Sequence, residues 1–147
     1  MVPLVVMVVV WGGARMAGAA GWQPGASTAG SLRFGLAALF LFTAISHFHP
    51  RTRPDLIRMV PPPLPAAGIL VTSTGVFELF GAIGLLLPSV ATAAAYGLIA
   101  LLVALFPANV YAARSGLGVA GRQPMPLAWR AVLQMFWIGS LWCVASE

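Results

Sequence analysis

Between Met59 and Ala113 the chain carries a single charged side chain, Glu78. A helix crosses a bilayer with about 20 mainly apolar residues. This stretch is 55 residues long, and Pro88-Ser89 divides it. Its halves read as membrane spans over about Ala66–Leu87 and Ser89–Ala113. Two further spans follow the same pattern. One, Ser31–Phe48, starts after the Gly/Ser/Thr-rich Gly25–Gly30. The other, Pro126–Ser146, starts after the Gly/Pro loop Ser115–Pro124 with a proline in its first turn.

The N-terminus allows two readings. Met1–Val10 is apolar, and Gly12, Gly13 and Arg15 interrupt it. Ala17-Gly18-Ala19 resembles the small-residue cleavage site of a signal peptide. No positive side chain precedes the apolar run, which favours a retained helix over about Val2–Ala20 with Arg15 reaching for the interface. The expected fold is an all-α membrane protein, one integral membrane domain over residues 1–147, built as a four-helix transmembrane bundle with an additional N-terminal helix.

Composition removes the competing classes. The chain is 60% apolar and 7% charged, where a soluble domain carries about 25% charged residues. A soluble enzyme, a disordered tail and a disulfide-rich module are excluded. The net charge of +5 comes from eight arginines. They lie in short loops between apolar runs, so the expected partner is the lipid bilayer and not nucleic acid. Cys143 is the single cysteine. It excludes an intrachain disulfide or dithiol redox pair and reads as a small hydrophobe.

Arginine placement predicts orientation. Arg51, Arg53, Arg58, Arg114 and Arg122 lie in loops on the side of the N-terminus, and Arg130 sits just inside the last span. Arg15 and Arg33 lie opposite. With five spans the N-terminus is expected in the cytoplasm and Glu147 outside, in a multi-pass protein of the cell membrane. Trp22, Tyr111, Trp129 and Trp142 fall near predicted helix ends, as interfacial aromatics do.

Small residues mark the expected helix seams, because apolar side chains do not distinguish a neighbouring helix from lipid. They are Gly75, Gly81, Ala82 and Gly84 in the third span and Ala100, Ala104, Ala108 and Ala112 in the fourth. Pro107 frees the carbonyl of Val103. Leu56, Ile57, Met59 and Val60, around Arg53 and Arg58, predict a short amphipathic turn at the interface. Pro61–Pro63 predicts an extended rise into the third span.

Glu78 is the most informative residue. It falls close to mid-membrane, where a carboxylate must face the interior, pair or stay protonated. His47 and His49 close the second span, but a spacing of two puts them on different faces and makes no chelating pair. With no third histidine and one cysteine, no metal site is expected. Counted from the helix ends, His47, Asn109, Tyr111 and Arg114 lie near the cytoplasmic surface and Gln134 deeper. Glu78 falls about 12 Å below His47 at 1.5 Å per residue. No direct His47–Glu78 bond is expected without tilt or an intervening water. Glu78, His47, Asn109, Tyr111 and Gln134 are the candidate intramembrane polar site, arranged as a funnel. Arg51, Arg53, Arg58 and Arg114 are candidate contacts for anionic headgroups.

Four blocks carry a family resemblance: Ser46-His47-Phe48, Arg58–Pro62, Gly75–Pro88 and Phe106–Tyr111. In this order they resemble the DoxX-like family of small bacterial membrane proteins, over about Leu32 to Trp142. The resemblance implies a four-helix membrane core and a link to thiosulfate:quinone oxidoreduction or redox-stress complexes, with a redox partner subunit. The expectation that follows is a membrane subunit of a quinone-linked system with no redox cofactor of its own, quinone being the candidate ligand. A small permease or lipid-handling protein is the alternative, and a structural or assembly partner without its own chemistry is the third.

Overall fold

A computed structural model describes residues 2–146. Glu147, on which the expected outer C-terminus falls, lies outside them. All regular structure in the described residues is helical. Five long helices are apolar enough to cross a membrane: α1 (Val2–Ala19), α2 (Thr28–Phe48), α4 (Ala67–Leu86), α5 (Ala91–Arg114) and α6 (Leu127–Ala145). A short helix, α3 (Arg53–Arg58), follows α2, and a single 3-10 turn, Gln23–Gly25, precedes it. The chain is therefore a multi-pass membrane protein with the expected all-α fold.

α2 is the central element. It packs against α1 on one side, α4 and α6 on the others, and α5 closes the ring between α4 and α6. α1 touches the bundle through α2 alone among the long helices. The core runs through Leu32, Leu36, Leu39 and Phe40 of α2, Ala82 and Leu85 of α4, Ala95, Leu98 and Leu102 of α5, and Leu141 and Val144 of α6. Phe77, Phe80, Val103 and Met135 point outward, as lipid-facing side chains do.

Close approach of backbones sets the seams. A Cβ at Gly75 would stand 2.6 Å from the Cβ of His47, and one at Gly84 would stand 2.7 Å from the Cβ of Ala94. Gly81 is equally tight against Leu98. The glycines of α4 thus seat α2 on one face and α5 on another, as expected. The alanine stripe of α5 is a correction: Ala100 and Ala104 are exposed, and only Ala112 of the four is buried. The buried stripe is Ala91, Ala95, Leu98 and Leu102. Four-residue spacing alone does not say which face meets protein, and here Leu98 fills the space left by Gly81.

Two local expectations also change. α2 starts three residues early because the Ser27 side chain accepts from the backbone N–H of Gly30 at 2.8 Å and caps it. The proline run does not rise extended: the N–H of Leu64 donates to the carbonyl of Pro61 at 3.0 Å, closing a turn. Arg15 does not merely reach for the interface either, since it donates to the carbonyl of Ala26 at 2.6 Å.

Candidate functional site

Pro50 cannot continue α2, and α2 ends with His49 as its C-cap. It ends well inside the level at which α4 begins. His47 packs on Gly75, eight residues beyond Ala67, or about 12 Å along α4 at 1.5 Å per residue. α3 and its arginine fill the resulting step. Arg53 donates to the carbonyl of His47 at 3.0 Å, to the carbonyl of Gly68 at 3.1 Å and to the hydroxyl of Thr72 at 2.9 Å. One guanidinium thus joins the last turn of α2 to the first two turns of α4.

This step overturns the expected separation of His47 and Glu78. Glu78 lies less than one turn beyond Gly75, and its Oε2 stands 3.5 Å from Nε2 of His47. Depth counted from helix ends assumed that both helices end at one level. Both side chains are almost closed to solvent, at 12% and 8% exposure. The contact is longer than a good N–H···O bond. Nδ1 of His47 and Oε2 of Glu78 have no hydrogen-bond partner, nor does Nε1 of Trp137 on α6. Buried polar atoms are normally satisfied, so the pair holds one unused position on each ring or carboxyl.

Asn109, Gln134 and Arg130 form a second, separate cluster between α5 and α6. Arg130 donates to Oδ1 of Asn109 at 3.1 Å, and Nδ2 of Asn109 donates to Oε1 of Gln134 at 3.4 Å. Gln134 in turn donates to the carbonyl of Leu102 at 3.1 Å. Arg130 also bonds the carbonyls of Met125 at 3.0 Å and Leu117 at 3.4 Å. The cluster sits where Pro107 interrupts the ladder of α5 without ending the helix. The expected funnel therefore resolves into two groups. Half-buried Tyr111 joins neither by a hydrogen bond.

The loop arginines differ in what they have left to offer. Arg53 is committed to internal acceptors, and Arg58 pairs with Asp55. Arg51 and Arg114 are exposed. Asp55 also accepts from the N–H of Ala120 at 2.7 Å, which puts α3 and the α5–α6 loop at one end of the bundle. The Ala120 N–H and the Arg58 guanidinium hold the Asp55 carboxyl below its ordinary value.

The sequence reading missed two structural roles. Arg53, expected to contact anionic headgroups, is instead bound to internal acceptors, and nothing local in the sequence marks it as a clamp. Arg130 was legible in part: it lies four residues before Gln134, so both share one face of α6. Among the described residues no group of three or more His, Cys, Asp or Glu could hold a metal, and Cys143 is free and exposed. A groove of about 570 Å³ opens between α4 and α5, walled by Phe77, Phe80 and Gly81 on one side and Gly97, Ala100 and Ala104 on the other. Neither His47 nor Glu78 is among its lining residues.

Fold and site together define a small polytopic membrane protein with a buried histidine–glutamate pair at a helix seam. The chain belongs to the family described as Domain of unknown function (DUF8561), whose model matches residues 36–145. That region holds α4, α5, α6 and most of α2, and leaves α1 outside. No curated protein and no solved structure matches the chain.

Proposed function

We propose that this protein is a DoxX-like membrane subunit of a quinone-linked redox system in the cell membrane, and that His47 and Glu78 are its proton-exchanging pair. The observation that supports this most is the meeting of the two ionisable side chains inside the bundle, 3.5 Å apart, each with an unpartnered polar atom. An intramembrane ionisable residue points to function, and a carboxyl beside an imidazole can pass a proton between them. A quinone supplies carbonyl oxygens that take up protons when the ring is reduced, with the electrons delivered by a partner subunit. His47 would offer Nδ1 to such an oxygen and Nε2 would face Glu78, inside a seam almost closed to solvent. By the arginine bias the N-terminus is cytoplasmic and the C-terminus outside.

The test is purification with native lipids and mass spectrometry for bound quinone, beside quinone reduction in membranes of a deletion strain. Retained quinone that falls in His47→Phe and Glu78→Leu supports the reading. No retained quinone together with unchanged reduction sinks it. A second reading, a permease or lipid-handling protein, draws on exposed Arg51 and Arg114 at the α3 end. Proteoliposome flux that is the same in wild type and Glu78→Gln removes Glu78 from that role.

A further inference from the structure

At the end of the bundle opposite α3 a second cavity of about 380 Å³ is lined by Ser27, Arg33, Pro88, Ala91, Thr92 and Val144. We infer that it is a binding site for a phosphate group, held by the Arg33 guanidinium, and that the phosphate is that of a phospholipid headgroup.

Arg33 lies five residues into α2, inside an apolar span. Its Nε donates to the carbonyl of Leu85 at 2.7 Å, next to the last residue of α4. That bond fixes the plane of the guanidinium. The two terminal nitrogens have no acceptor on a described residue. Half-buried, they carry a permanent charge into the cavity with no partner among the described residues. A charge removed from water needs a counter-charge or hydrogen bonds. Neither acid of the described residues supplies one: Asp55 lies at the other end and Glu78 in the middle of α4. Among the described residues the other charge nearby is also positive, since Arg15 binds the carbonyl of Ala26, next to Ser27.

The ligand chemistry follows from the donor. A guanidinium with Nε anchored presents two terminal N–H groups in a fixed fork, which matches two oxygens of a phosphate. The cavity is several times the ~30 Å³ share of one water molecule, so it admits a phosphate and part of what the phosphate is attached to. Its depth supplies the source: Leu85 and Ala91 flank the α4–α5 turn, so the cavity lies where those spans leave the hydrocarbon layer and phospholipid phosphates reside. Thr92 adds a hydroxyl on the rim.

The experiment is native mass spectrometry of the full-length protein in detergent. One arm is titrated with dioleoylphosphatidylglycerol, the other with inorganic phosphate. In wild type one lipid adduct should survive collisional activation. Arg33→Gln should weaken that adduct about tenfold, the loss of one charge-assisted hydrogen bond. Arg122→Gln, an exposed arginine at the far end, should leave it unchanged. Thr92→Phe fills the cavity while keeping the Arg33–Leu85 bond, so its loss of the adduct decides the matter if Arg33→Gln does not fold. Binding of inorganic phosphate with the same dependence on Arg33 assigns the site to free phosphate and keeps the phosphate chemistry. Equal retention by wild type and the cavity variants overturns the inference. So does retention seen only in Glu147→Gln, which would mean that the chain's own terminal side chain holds the guanidinium.

Discussion

His47 and Glu78 come from different helices, and neither has another polar partner at their contact. Their energetic coupling is therefore measurable as a pair. A double-mutant cycle of His47→Phe and Glu78→Leu, read by unfolding in mixed micelles, should return a coupling of about 0.5–3 kcal/mol. Each single change leaves one buried polar group alone, so the double variant should be more stable than the sum of the two losses implies. Coupling near zero would mean that the pair is not formed. Asp55 shows the same logic outside the membrane. Its carboxyl titrates below the ordinary 3.8 because the Ala120 N–H and Arg58 favour the charged form. A depressed folded value stabilises the α3–loop contact above the ordinary value, and that stability is lost as pH falls through the lowered one. Spin labels at positions 51 and 122 should keep their separation from pH 8 to 5 and move apart well below pH 4, as they do at neutral pH in Asp55→Asn.

At the scale of elements, the decisive feature is the step between α2 and α4. Pro50 ends α2 early, α3 fills the gap and Arg53 bridges it with three hydrogen bonds. Arg53→Gln should cost about 2 kcal/mol, the usual worth of hydrogen bonds to a charged group when their losses are not fully additive. Arg53→Lys should recover little of it, since an ammonium cannot span three acceptors in one plane. Thermal unfolding checks both, and full recovery by lysine would count against the clamp. α2 and α4 were readable as spans from their apolar runs, and the Gly75, Gly81 and Gly84 seam from its small residues. The step was not, because hydropathy gives the length of a span but not its offset from a neighbour. That offset is what brings His47 to Glu78. The α5 stripe failed for a related reason: Ala100 and Ala104 have the spacing of a seam, yet they face the groove, and burial went to Ala95, Leu98 and Leu102.

Across the whole molecule, the ring of α2, α4, α5 and α6 is closed on itself, while α1 leans on α2 from outside. α1 is also the long helix that the family match leaves out entirely. A chain starting at Gly21 should therefore still insert and unfold cooperatively, with a lower midpoint, since it exposes the Gly35 surface that Met7 and Trp11 cover. Loss of cooperative unfolding would show that α1 is integral to the bundle.

Residue order alone sets the class, the number of spans and the ends at which charges gather. Each follows from the cost of placing charge and open backbone in hydrocarbon, a cost that every residue meets wherever its neighbours lie. The sequence also marked Glu78 as the residue to explain. What Glu78 meets, which alanines face protein and which arginines remain available depend on how the helices pack. Those outcomes depend on helix offset and rotation, which in a bilayer are set by close packing between particular side chains and not by hydrophobicity.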